Sequence, residues 1–263
     1  MILIEAGASG GSLVALEAGG SFGAIMRGQP GGSAASRRLP APGGPRLAMI
    51  AISGVDGSGK TRLAGLTLDR LAMAGIPHRQ VWSRFRNYLS KPLLGLARLT
   101  GHNRREQVGG VRIGYHDFAR SPVLAWSFLA LHAADLAIDI LFRFRLRRKG
   151  TIVADRCAID SLVDLAVDTG LDDVVIDRLG PRLLQLMPQP LLAVVVERPT
   201  GLIAEQRPDA LADRHFARRR ALYRRLARRL GLPVLRNDRP LETVMRELSD
   251  LMAGTPAQEG GTP

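Results

Sequence analysis

A single cysteine, Cys157, stands in a chain of 263 residues. One thiol excludes an internal disulfide and fits a reducing compartment, so a cytoplasmic location is expected. Lysine is almost as scarce: Lys60, Lys91 and Lys149 are the only three among 37 basic residues. Aromatics make up 5% of the chain, and no aromatic-rich basic platform is visible. That shortage argues against a nucleic-acid-binding ATPase. Acidic residues number 24, which leaves a formal net charge of +13. Nucleic acid is one explanation of such an excess, and a site holding two phosphorylated ligands is another. Much of the excess is local, in Arg143 to Lys149 and Arg214 to Arg229, and the heavy use of Arg and Ala looks like a compositional bias. Residues 1–45 have few bulky side chains, and they lack the basic start followed by an apolar core of a secretory signal. They are expected to be a disordered Gly/Ala/Pro-rich extension, as is the tail 254–263, leaving residues 46–253 as one domain.

Against this background one stretch stands out, Met49 to Arg62, MIAISGVDGSGKTR. Gly54, Gly59, Lys60 and Thr61 fit the P-loop pattern G-x-x-x-x-G-K-[ST], between an apolar strand-like run and a helix-like one. Glycines at 54, 57 and 59 permit positive φ and close approach of the backbone to a ligand. Residues Gly54, Val55, Asp56, Gly57, Ser58, Gly59, Lys60 and Thr61 are therefore the candidate ATP site. Their N–H groups would curl around phosphate at the positive end of the following helix. Lys60 would reach the β- and γ-phosphates, and the Thr61 hydroxyl would bind Mg²⁺.

The remaining chain alternates strands with helices. Strands are expected over 47–53, 78–82, 151–154, 191–196 and 233–235. Helices are expected over 60–74, 158–168, 173–186, 209–230 and 240–252. This order predicts an α/β fold, a doubly wound parallel sheet flanked by helices, with ligands at the carboxyl edge. Arg84, Asp155-Arg156 and the 198–214 loop would fall on that edge. Residues 85–120 read as a basic, partly helical excursion over the site. Within them His102, His116 and Asp117 lack the spacing of a metal site.

Ser121-Pro122 starts a helix whose apolar pattern runs past Phe142. Its length could suggest a membrane span. Asp135 and Asp139 argue against one, since each costs about 2.5–3.5 kcal/mol near a bilayer centre. Asp135, Asp139, Arg143 and Arg147 fall four apart, as a solvated ion-paired stripe would. Asp135 could instead border a substrate site.

From these motifs the chain resembles thymidylate kinase and, more widely, the P-loop nucleoside monophosphate kinases, over residues 49–252. GVDGSGKT at 54–61 is similar to that family's P-loop, whose Asp, here Asp56, contacts the nucleotide sugar. VADR at 153–156 resembles its Asp-Arg motif, which serves Mg²⁺ and the phosphates. HFARRRALYRRLA at 215–227 resembles the helix after its lid, and NDRPLETV at 237–244 its last strand-to-helix turn. The acceptor side departs from the pattern. Arg84-Phe85-Arg86-Asn87 stands where the family has Arg-Glu-Pro-Gly-Gly. Leu136 follows Ala134-Asp135 in place of an arginine, and Cys157 replaces a tyrosine. Asp160, Asp164 and Leu165 stand in a segment where the family reads Ser-Ser-x-Ala-Tyr-Gln.

The resemblance implies ATP-dependent phosphoryl transfer to a nucleoside monophosphate or a related small phosphorylated acceptor. ATP and Mg²⁺ would be the cofactors, and a short lid segment would close on the site. Lys60, Arg156 and Arg207 are the candidate catalytic groups, with Arg207 as an arginine finger from the lid. Asp56, Arg84, Asp135 and Arg156 are the candidate substrate contacts, and Thr61 and Asp155 the candidate metal ligands. The alternative is a non-catalytic ATP-binding module or switch, which would keep Lys60 without needing Arg156 or Arg207. No membrane is implied, and a homodimer stays open.

Overall fold

A computed structural model describes residues 47–82, 87–108, 111–146 and 150–254. The expected terminal extension, most of the tail, and the candidate residue Arg84 lie outside the described residues.

At the centre is a short apolar strand, β1 (Met49–Ser53), buried at every position. It pairs in parallel with β5 (Thr151–Asp155) on one side and β6 (Leu191–Glu197) on the other. Strand β2 (His78–Val81) adds outside β5, and β7 (Val234–Arg236) outside β6, giving the order β2-β5-β1-β6-β7. All five strands are parallel. Near-continuous apolar strands are what a sheet covered on both faces requires. The alternation divides the side chains cleanly. Met49, Ala51, Ile152, Ala154, Ala193 and Val195 join the larger core, while Ile50, Ile52, Val153, Val194 and Val196 join the second. Helices α1 (Lys60–Met73) and α9 (Leu241–Gly254) supply the second core; α3 (Pro122–Asp139), α4 (Ala158–Thr169), α5 (Gly180–Leu186) and α8 (Phe216–Leu230) cover the opposite face. The expected α/β fold with a parallel sheet is the fold observed.

The partly helical 85–120 excursion contains, over its described residues, the helix α2 (Lys91–Leu99) and an antiparallel pair of β3 (Asn103–Val108) and β4 (Val111–His116). Three expectations need correction. The 173–186 helix begins as a π-helical turn over Val174–Leu179. Its cause is local: Pro181 has no N–H to return to the Asp177 carbonyl, which instead accepts from Arg229 at 3.4 Å. The 198–214 loop is largely helical, as α6 (Thr200–Gln206) and α7 (Pro208–Leu211). The 209–230 helix is therefore broken. Asp213 starts α8 afresh, its Oδ1 accepting from the His215 N–H at 2.9 Å and its carbonyl from Phe216 N.

Among the described residues one helix, Pro122–Arg145, is long and apolar enough to cross a membrane by length and composition. It includes a π-helical turn over Ile140–Arg145. Ala125, Phe128, Leu129, Leu136, Ile140 and Phe144 bury one side of it in the larger core. His132 lies buried against Phe128, and that burial pushes it down to about 3, so it is neutral at pH 7.

The arginines of α8 face acids of the same chain. Arg218 pairs with Asp172, Arg225 with Asp173 and Asp177, Arg229 with Asp177, and Arg224 with Glu197. Much of the basic run that suggested a polyanion partner is thus neutralised within the fold.

Candidate functional site

The carboxyl ends of β1, β5, β6 and β7 meet at one edge, as the strand pairing requires. From β1 the chain enters the loop 54–59. Gly54, Gly57 and Gly59 all have positive φ, at 152°, 82° and 93°. Space forbids side chains there as well. A Cβ on Gly54 would lie 2.5 Å from the Val196 carbonyl oxygen, and one on Gly57 would lie 2.7 Å from the Ile203 side chain of α6. At Gly59 it would collide with Asn237, whose Nδ2 donates to the Ser58 carbonyl at 2.7 Å. The end of β7 thus fastens the loop from behind, and α6 lies against its tip.

Lys60 opens α1 and is 4% exposed. Its Nζ donates to the Val55 carbonyl at 3.1 Å and to Asp56 Oδ1 at 3.0 Å. Arg156, from the end of β5, donates to the same Asp56 Oδ1. Two cations from different strand ends therefore converge on one carboxylate oxygen at the mouth of the loop. Burial works against the Arg156 charge, but Asp56 and Asp160 outweigh it and hold its pKa above the ordinary value.

The Arg156 backbone is unusual too. Its φ is +72°, the only positive value among the described non-glycine residues. A left-handed arginine is uncommon, and such strain persists only where the surroundings enforce it. The next residue, Cys157, is fully buried, and its thiol is pushed up to about 12 by burial first and then by the Asp160 charge. It is a protonated packing group, not a nucleophile.

Asp155 is 3% exposed, and its Oδ1 is buried without a hydrogen-bond partner. An acceptor in that condition fits a cation or a water carried by one. Thr61, on the first turn of α1, is exposed. The pair fits Mg²⁺ by ligand chemistry, both being hard oxygen donors.

Arg207 follows α6. Its Cβ would be 3.5 Å from a Cβ placed on Gly57, so its stem lies beside the loop. Its guanidinium does not reach inward. It is bound in a fork to Asp209, Nε to Oδ1 at 2.9 Å and Nη2 to Oδ2 at 2.7 Å. That fork raises the Arg207 pKa and lowers that of Asp209.

Asp135 departs from the expected solvated stripe. Its side chain is buried and accepts four hydrogen bonds from the turn before α2: Leu89 N–H at 2.7 Å, Tyr88 N–H and Ser90 N–H at 3.1 Å, and Ser90 Oγ at 2.6 Å. Burial pushes its carboxyl up, but these donors outweigh that and hold it below the ordinary range. A direct substrate contact would have to displace one of them. Asp135→Ala should therefore lower stability by about 2–3 kcal/mol at pH 7, since buried donors lose their acceptor. The folded value is the lower one, so the contribution is full above the unfolded carboxylate pKa. It is lost as pH falls through the folded value. Urea melts should show the wild-type and variant curves converging towards pH 3, whereas a gap of equal size at both pH values would contradict this role.

Of the positions that depart from the family pattern, Leu136 and Leu165 are core residues, and Asp164 is bound to Arg219, which also pairs with Asp213 at 2.9 Å. His116 pairs with the buried Asp168 at 3.2 Å and stacks on Phe118. The pair of β3 and β4 is joined to the start of α8, Tyr115 Oη accepting from the Arg214 N–H at 3.2 Å.

Sequence reasoning missed Asp160 as a member of the site. Its carboxylate accepts from Ser53 Oγ and Tyr223 Oη, both at 2.8 Å, and from the Cys157 N–H at 2.9 Å. Only the last of these is legible, as an acid three residues past a helix cap.

Neither family models nor curated proteins match the chain. Solved structures do. A crystal structure of thymidylate kinase from Ehrlichia chaffeensis is similar at 15% identity and a TM-score of 0.48. The match covers 79% of this chain and 99% of that one. The likeness is distant and concerns the fold; no activity of this chain follows from it.

Proposed function

We propose that the chain is a P-loop kinase that transfers the γ-phosphoryl group of ATP to a small phosphorylated acceptor of the nucleoside monophosphate class. The observation that carries this reading is the convergence of Lys60 and Arg156 on Asp56 Oδ1 at the mouth of the glycine loop. A phosphate entering there exchanges one anionic oxygen for another and keeps both cations partnered. Phosphoryl transfer needs alignment and positive charge more than covalent chemistry. The loop N–H groups and Lys60 hold the donor phosphates. Arg156 stands between donor and acceptor and stabilises charge on the moving group. Mg²⁺, held by Thr61 and Asp155, would supply further positive charge at the β- and γ-phosphates.

The acceptor side supports an acceptor other than dTMP. Leu136 brings no charge, Leu165 is core, and Asp164 is bound to Arg219. Loss of one charge-assisted contact removes about one to two decades of affinity. Lost base contacts remove more. A panel of nucleoside monophosphates with ATP and Mg²⁺, read by ADP release, should give one good acceptor, with dTMP well below it. A kcat/KM for dTMP near about 10⁵ M⁻¹s⁻¹ or above would overturn the acceptor assignment.

One observation favours a second reading, a non-catalytic ATP-binding module: the Arg207 guanidinium is engaged by Asp209 and not by the loop. That module would bind ATP without releasing ADP under any acceptor.

A further inference from the structure

The carboxylate of Asp160 sits 4% exposed behind the glycine loop. Its bond from the Cys157 N–H closes a helix cap at the start of α4 and needs no other explanation. The remaining bonds are not local. Ser53 Oγ comes from the last residue of β1, and the Gly54 N–H approaches Oδ1 at 3.5 Å from the first residue of the loop. Tyr223 Oη comes from α8 and is buried with it. One side chain thus touches the exits of β1 and β5 and the helix that follows the lid segment. The Cys157 N–H that it holds belongs to the peptide immediately after Arg156, whose φ is +72°.

Rotation of that peptide would change ψ of Arg156, at a residue whose φ is already positive, and shift the start of α4 relative to the exit of β5. It would also break the bond between Cys157 N–H and Asp160. The geometry points to Asp160 as a positioning residue: it fixes the peptide that follows Arg156 and holds the β1 exit in register with it, so that Arg156 and Lys60 meet on one anion. This inference rests on the kinase reading for its catalytic consequence, though not for its structural one. The sequence resemblance implies serine at this place, and a hydroxyl is too short to join all three elements. The lock is therefore a feature of this chain's own residues.

The test combines kinetics with structure. Asp160→Ala removes both carboxylate oxygens, so the Cys157 N–H, Ser53 Oγ and Tyr223 Oη lose their common acceptor. Against the best acceptor of the panel, kcat should fall about 100-fold, as expected for a group misplaced by about 1 Å, while KM for ATP changes less than about threefold because the loop and Lys60 remain. In an Arg156→Ala background the same substitution should reduce kcat by less than about threefold, since residues acting as one unit are not additive. Tyr223→Phe, which leaves the Cys157 and Ser53 bonds in place, should lose less than about fivefold. A residue that only supported the fold would give additive losses. Crystal structures of wild type and Asp160→Ala provide the readout that needs no activity. The peptide after Arg156 should turn, and Arg156 should part from Asp56. An Arg156 unchanged in the variant, or additive losses in the double variant, overturns the inference. Should Asp160→Ala fail to fold, Asp160→Ser carries the same measurements. Wild-type protein that neither binds ATP nor releases ADP rejects the kinase reading alone, and the two crystal structures then decide on Asp160 independently.

Discussion

Lys60→Ala is expected to reduce ATP-dependent turnover by about 10³-fold, the upper end for removing one preorganised group that stabilises developing charge. The lysine is buried at the first turn of α1 and directed back over its own loop, onto Val55 O and Asp56 Oδ1. Loss of the ammonium does not strand Asp56, because Arg156 still donates to it. The fold should therefore survive, with urea stability changed by no more than about 1–2 kcal/mol. Lysine is also rare in a chain that uses arginine almost everywhere else. A compact ammonium and a planar fork are not interchangeable on a phosphate, so Lys60→Arg should not restore the activity. Steady-state kinetics with ATP as the varied substrate checks this; wild-type turnover in Lys60→Ala would end the donor-site assignment.

Arg207→Ala is expected to cost about 10³-fold in kcat, the lower end of what an arginine finger contributes. Its stem lies beside Gly57, which puts the guanidinium within a side chain's reach of the loop. What holds it away is the fork to Asp209, half-exposed on the arginine side and easily exchanged for a stronger anion. Asp209→Ala should therefore leave kcat unchanged or raise it, since it frees the arginine. These two variants separate the readings. If Arg207→Ala retains kcat within about threefold, the arginine belongs to a surface ion pair and catalysis must rely on Arg156 and Lys60.

How much of this was legible in the sequence follows from what each signal depends on. The P-loop was legible because its glycines, Lys60 and the flanking apolar run are contiguous and each has a local reason. The parallel sheet was legible because buried strands on both faces leave long apolar runs. The hairpin of β3 and β4 was not, although Gly109-Gly110 between NRREQV and VRIGYH is a hairpin signal. VRIGYH alternates, but NRREQV is charged and lacks the alternation that marks a half-buried partner. The break between α7 and α8 was hidden by a run rich in good helix formers, which Asp213 interrupts by accepting from the His215 N–H through its side chain and from the Phe216 N–H through its carbonyl. Asp135 looked like one member of a charged stripe, and only the fold brings the turn before α2 onto it. Asp160 was the least legible: its partners Ser53 and Tyr223 lie 107 and 63 residues away in the chain.

The most direct measurement of the central claim follows the terminal phosphate of ATP. The full chain is incubated with γ-labelled ATP, Mg²⁺ and the best acceptor of the monophosphate panel, and the labelled products are separated. Label should appear on the acceptor as a diphosphate, in step with ADP, and Lys60→Ala should show neither. Label recovered only as free phosphate, or left entirely on bound ATP, would contradict a kinase.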